Sequence, residues 1–277
     1  MVLMIRASTR VFAMCLLLLA GLLTVFVGFP FMSWRRRDKT VQAWSRLLMA
    51  SAGVRVVLKG DARADDLDED TYGRMIVANH VSWLDIFVIN TVAPSCFIAK
   101  DDIASWPLVG TLVGSVGTLF LERGKRHAVH NMIKKVEHAL KEGRRIAVFP
   151  EGTTSDGGCL LPFHANLVEA AVQANCAVVP LGLRYFDERG NSIQGANGTV
   201  YFAGDVTFVE SVLRIVQAPG VIAEVVALPD SNGSGELQGK QRHVLANSAR
   251  LQISQALGLP LEDNLPEIVR DLRGERR

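Results

Sequence analysis

Between residues 11 and 32 the chain runs VFAMCLLLLAGLLTVFVGFPFM, 22 positions without a charge. As an α-helix rising ~1.5 Å per residue it would reach about 33 Å, close to the ~30 Å hydrocarbon core of a bilayer. A secretory signal peptide is the competing reading. Its apolar stretch is ~7–15 residues long and ends at a small-x-small cleavage site, and this segment has neither feature. Arg6 and Arg10 precede the run, and Arg35, Arg36, Arg37 and Lys39 follow it. The larger basic cluster on the C-terminal side favours an inner-membrane location with the body in the cytoplasm. Pro30 ends or bends the helix, so a full crossing and a half-inserted hairpin both fit. The stretch at 41–54, VQAWSRLLMASAGV, spaces Val41, Trp44, Leu47, Leu48 and Met49 near helical periodicity. It fits either a surface helix with Trp44 among the headgroups or an ordinary packing helix. Residues 1–52 are therefore expected to form a membrane-anchoring helical segment.

Residues 53–277 read differently. Short β-branched runs (VRVVLKG, RMIVAN, CFIAK, GTLFLE, RRIAVFP, AVVPLGLRYF) alternate with helical periods (SWLDIFVINTV, HAVHNMIKKVEHALKEG, HANLVEAAVQANC). That alternation predicts an α/β fold with a largely parallel, buried sheet flanked by helices. Past residue 190, GTVYFAGD and GVIAEVVALP read as strands around a helix at 208–217. A polar loop, PDSNGSGELQGK, precedes a last helix at about 241–257. A net charge of +2 is too small to indicate a nucleic-acid partner. The four cysteines have no CxxC spacing, which argues against a disulfide framework or a zinc site.

Three stretches at predicted strand ends carry polar chemistry. In VANHVSWLDI, His80 and Asp85 are five positions apart. On one regular helix they would be separated by ~7.5 Å along the axis and about 140° around it, and could not bond. They meet only if His80 lies in the turn before a helix and Asp85 in its first turns, with Ser82 as a plausible N-cap. Asp85 would then hold one ring nitrogen and leave the other to accept a proton. In GTLFLERGKR, Arg123 follows a strand at the edge where open α/β sheets bind ligands, and arginine suits a bidentate grip on phosphate. In AVFPEGTTSDGG, Gly152 would let a backbone N–H approach an anion and Thr153 offers a hydroxyl. A plain turn would use the same residue types.

Together, NHVSWLD, FLER, FPEGT and VVPLGL resemble the four sequence blocks of the 1-acylglycerol-3-phosphate acyltransferase family, over residues 74–185. The resemblance implies transfer of an acyl group from acyl-CoA or acyl carrier protein, as co-substrate, to the free hydroxyl of a lysophospholipid. It implies no cofactor and no metal, with membrane lipids and the acyl donor as partners. His80 would be the general base and Asp85 its orienting partner. Lys100, Arg123 and the turn of Glu151, Gly152 and Thr153 would hold the acceptor's phosphate, with Pro180 shaping the site. One position departs from the family pattern: Thr154 stands where many members carry arginine. Loss of that cation makes an acceptor without a phosphomonoester, such as lyso-ornithine lipid, the alternative. A non-catalytic lipid-binding protein is the reading from a different class.

Other chemistries fit poorly. There is no GxSxG elbow for a serine hydrolase. RGKR has no Ser or Thr after its lysine, as a phosphate-binding loop requires. His127, His130 and His138 fall largely on the polar face of one amphipathic helix.

Overall fold

Helix α1 (Val2–Leu23) runs on through a π turn (Thr24–Gly28) and a 3-10 turn (Phe29–Phe31), then reverses into α2 (Trp34–Ala52). The computed structural model describes residues 2–60, 73–106, 109–121, 126–195, 198–231 and 241–262. Arg37 fastens the reversal by donating to the carbonyls of Met32 and Phe29. The Trp44 indole N–H bonds the Leu17 carbonyl at 2.8 Å, so this tryptophan faces α1 instead of an outer surface. At the base of the hairpin Arg10 donates to the carbonyls of Val216, Ala218 and Pro219, and Arg6 to that of Gln217. Those carbonyls lie at a helix C-terminus, where unpaired acceptors and the dipole favour a cation. The first limb of the hairpin is thereby tied to the rest of the protein. The apolar run forms one limb of a helical hairpin whose second limb is α2. Within Met4–Phe31 an 18-residue window has a mean hydropathy of 2.6, with only 11% of that window buried.

The remaining elements alternate. They are β1 (Val54–Gly60), β2 (Arg74–Ala78), α3 (Leu84–Val92), β3 (Cys96–Lys100), α4 (Val109–Ser115), β4 (Leu119–Leu121) and α5 (Arg126–Lys141). Then come β5 (Arg145–Val148), α6 (Glu169–Ala174), β6 (Ala177–Phe186), α7 (Phe208–Gln217), β7 (Val221–Ala227) and α8 (Gln241–Leu257). The strands form one sheet in the order β1-β7-β6-β2-β5-β3-β4. All neighbours are parallel except β6 and β7. The fold is thus the expected α/β arrangement with a largely parallel sheet.

Period-two alternation explains why the sheet is covered on both sides. Ile76 and Ala78 of β2 join Ala147, Val179, Leu181 and Leu183 in a core closed by α2 and α3. Met75 and Val77 face the other way, with Ile146, Val148 and Val178, into a core closed by α5, α6 and α8. Strand β2 is central, and its C-terminal end points His80 out of the layer between the two cores.

Three local expectations change. GTVYFAGD forms turns instead of a strand, with Gly198 N–H bonded to the Gly195 carbonyl and Tyr201 N–H to that of Gly198. The helix expected across residues 164–176 narrows to α6. Trp44 packs inside the hairpin because its indole N–H finds a carbonyl there, and α2 buries Ser45, Leu48, Met49 and Ala52 as a packing helix. The loop at 232–240 lies outside the described residues.

Candidate active site

The bend required of residues 80–85 is present. Strand β2 ends at Ala78 and α3 begins at Leu84, so His80 sits in the connecting turn and Asp85 in the first helical turn. His80 Nδ1 lies 2.8 Å from Asp85 Oδ2. The same oxygen accepts the backbone N–H groups of Val81 at 2.7 Å and Ser82 at 2.9 Å. Asp85 therefore closes the turn from inside the helix. The cap expected of Ser82 shrinks to a 3.4 Å contact from Leu84 N–H. A carboxylate at a helix N-terminus, fed by backbone donors, also meets the favourable end of the dipole.

The turn is clamped from three sides. Asn79, 1% exposed, extends the sheet ladder with its side chain, donating to the Leu183 carbonyl at 3.0 Å and accepting Leu183 N–H at 2.7 Å. Ser155 N–H bonds the His80 carbonyl at 2.8 Å. The imidazole stacks on Phe149, ring centroids 3.9 Å apart and planes 9° from parallel. The His80 side chain is 18% exposed while Asp85 is fully buried. Among the described residues Nε2 makes no hydrogen bond. One nitrogen is held and the other has no hydrogen-bond partner among the described residues, on a side chain partly open to solvent, as a general base needs.

Glu151 is corrected. Instead of meeting an acceptor's phosphate, its carboxyl is fully buried. It accepts His80 N–H at 2.8 Å and Leu161 N–H at 3.3 Å. Burial pushes it up to about 8, against the pull of those two N–H groups. The residue braces the His80 turn from beneath. Gly152 is corrected as well: its N–H bonds the Phe149 carbonyl at 3.0 Å and so closes the turn instead of facing an anion. Its φ of +70° is a left-handed conformation that suits glycine, and it sends Glu151 inward. Thr153 is half-buried, its hydroxyl 3.4 Å from the Thr154 carbonyl. The Thr154 hydroxyl bonds the Phe202 carbonyl.

Pro180 is buried within β6, in register with Val77, and its carbonyl accepts Leu228 N–H at 3.1 Å. It therefore sits in the strand body, three residues before the Leu183 backbone that Asn79 grips. Lys100 ends β3. Arg123 lies outside the described residues.

Sequence reasoning missed Asn79, Phe149 and Tyr185. The Tyr185 hydroxyl bonds Asp85 Oδ1 at 2.5 Å, both groups being fully buried. Its trace in the sequence is alternation: Leu181, Leu183 and Tyr185 share one face of β6, and a tyrosine among leucines requires a partner for its hydroxyl.

A largely parallel sheet with a His–Asp pair at the carboxyl end of its central strand is an arrangement found in α/β enzymes, and comparison with known proteins narrows the class. A family model described as acyltransferase matches residues 66–184. The lyso-ornithine lipid O-acyltransferase of Pseudomonas aeruginosa is 30% identical over 221 residues, 80% of this chain and 79% of that protein. The 1-acyl-sn-glycerol-3-phosphate acyltransferase of Neisseria gonorrhoeae is 43% identical over 122 residues, 44% of this chain and 48% of that protein. The match thus spans about half the length of the gonococcal relative. The crystal structure of the 1-acyl-sn-glycerophosphate acyltransferase of Thermotoga maritima superposes with a TM-score of 0.61. At 20% identity it covers 91% of this chain and all of that one, and shares the fold. The chain belongs to the acyltransferase family that includes these lyso-lipid enzymes.

Proposed function

We propose that the protein transfers a fatty acyl group from an acyl thioester to the free hydroxyl of a lysophospholipid, with 1-acylglycerol-3-phosphate as the acceptor and phosphatidic acid as the product. The observation that carries this reading is His80, fixed at Nδ1 by buried Asp85, with Nε2 making no hydrogen bond among the described residues. The acceptor hydroxyl gives its proton to Nε2 as its oxygen attacks the thioester carbonyl. The tetrahedral intermediate expels the thiolate, which takes up a proton from the imidazolium or solvent. Asp85 stabilises the imidazolium formed on the way. A thioester is already activated, so a covalent acyl-enzyme is unnecessary, and orientation of the alcohol supplies much of the rate. Lys100, Arg123 and the Thr153 hydroxyl are assigned to the acceptor's phosphate. Acyl-CoA and acyl carrier protein both suit as donor, and no cofactor is required.

The apolar first limb supports membrane association, which would bring the site to where both lipids reside. The basic residues after its apolar limb support a cytoplasmic orientation.

A second acceptor, lyso-ornithine lipid, is favoured by Thr154. Its hydroxyl is committed to the Phe202 carbonyl, and the residue itself carries no charge where arginine is common. The Pseudomonas relative, named for that lipid, aligns over 80% of the chain.

The test supplies membranes bearing the protein with radiolabelled acyl-CoA or acyl carrier protein and a panel of lyso-lipids, with and without a phosphomonoester. Labelled phosphatidic acid is expected from wild type, with a loss of several orders of magnitude in His80→Ala. Full activity in a purified, folded His80→Ala protein would defeat the assignment. Label in the ornithine lipid alone would select the second acceptor.

A further inference from the structure

We propose that Tyr185 is a positioning residue for catalysis, the third member of a His80–Asp85–Tyr185 chain in which its hydroxyl fixes the plane of the Asp85 carboxylate. The inference rests on the acyl-transfer reading above. Asp85 receives four donors: His80 Nδ1, Val81 N–H and Ser82 N–H on Oδ2, and the Tyr185 hydroxyl on Oδ1. Three of the four come from the catalytic turn itself. Among the described residues Tyr185 alone comes from elsewhere, 100 residues away in sequence on strand β6. It is the contact that ties the carboxylate to the sheet.

The burial pattern argues that the hydroxyl is present for Asp85. Tyr185 follows Leu181 and Leu183 on the α2/α3 face of β6, all three fully buried in one apolar core. Phenylalanine would fill that space without a polar group to satisfy. With phenylalanine there, however, Oδ1 would become a buried acceptor without this donor. The carboxylate could then rotate and present Oδ2 to Nδ1 at a poorer angle. Burial and the neighbouring Asp85 push the phenol well above its ordinary value, so it stays a donor through the working pH range. Being fully buried, Tyr185 touches neither substrate and acts only through Asp85.

The experiment is a double-mutant cycle on full-length protein in membranes, using the acyl thioester and the best acceptor from the panel. Tyr185→Phe is expected to lower kcat about 10- to 100-fold, the range for loss of a hydrogen bond to a charged group. KM for both substrates should stay within about twofold, because bound substrate does not reach the phenol. In an Asp85→Ala background, where the group the phenol positions is absent, the same change should cost less than about twofold. A Tyr185→Phe protein with wild-type kcat overturns the proposal. So does an equal fold-loss in both backgrounds, which marks general loosening of the core. Should Tyr185→Phe fail to fold, mono- and difluorotyrosine at position 185 keep the shape while strengthening the donor. A kcat that varies with fluorination only when Asp85 is present supports the role, and one that does not vary overturns it. Absence of product from wild type overturns the acyl-transfer reading and this inference with it. Active wild type, dead His80→Ala and fully active Tyr185→Phe overturn the inference alone.

Discussion

Asp85→Asn isolates the charge in the catalytic pair. The amide oxygen can take the Oδ2 position and keep the N–H bonds from Val81 and Ser82. Its NH2 then faces the Tyr185 hydroxyl, which can accept as well as donate. The turn should therefore survive, and the unfolding midpoint should stay near that of wild type. What vanishes is attraction between carboxylate and imidazolium. With Nδ1 and Oδ2 2.8 Å apart, the charge centres lie roughly 4 Å apart. At an effective dielectric constant of about 20, suited to a pair of which one partner is partly exposed, that attraction is about 4 kcal/mol. At 1.36 kcal/mol per tenfold, kcat should fall by about 10³, with the acceptor KM nearly unchanged. The assay is initial-rate transfer of labelled acyl groups across a range of acceptor concentrations, with thermal unfolding of the same preparation. A folded Asp85→Asn protein within tenfold of the wild-type kcat would refute the reasoning, because the imidazolium would then need no buried counter-charge.

Two further outcomes test the scaffold. The Glu151 carboxyl stands at about 8 in the folded protein against 4.5 ordinarily, so between those values the folded state binds the extra proton. Its contribution is present below about pH 4.5 and is lost as pH rises towards 8, by at most about 5 kcal/mol. The stability difference between wild type and Glu151→Gln, followed by denaturant melts from pH 5 to 8, should shift against wild type as pH rises; a level difference contradicts this. Asn79→Ala leaves the Leu183 N–H and carbonyl without their side-chain partner. It should cost about 2–4 kcal/mol in urea unfolding, and a loss under about 0.5 kcal/mol would show that water replaces both bonds.

The limits of sequence reasoning show at single residues. The 3.6-residue arithmetic that forbids a His80–Asp85 bond on one helix placed the helix start between them correctly, because that rule is local. Glu151 fits the pattern of a phosphate-binding turn equally well from sequence. It lies inside because the Gly152 turn sends it beneath the His80 backbone, 71 positions away in sequence. Trp44 has the spacing of a headgroup anchor, and only the packing of α1 against α2 shows a carbonyl waiting for its indole.

By itself the sequence determined the apolar character of the N-terminal run, the alternation that yields a buried, largely parallel sheet, and the pairing of His80 with Asp85. All three follow from periodicity and side-chain type within a few residues. The tertiary structure alone decided that α1 and α2 pack as a hairpin, that Glu151 faces inward, and that Asn79 and Tyr185 reach the His80–Asp85 turn from opposite sides of the β2–β6 seam. Those choices depend on which donors and acceptors distant segments bring together, and buried polar groups must find such partners wherever the fold supplies them.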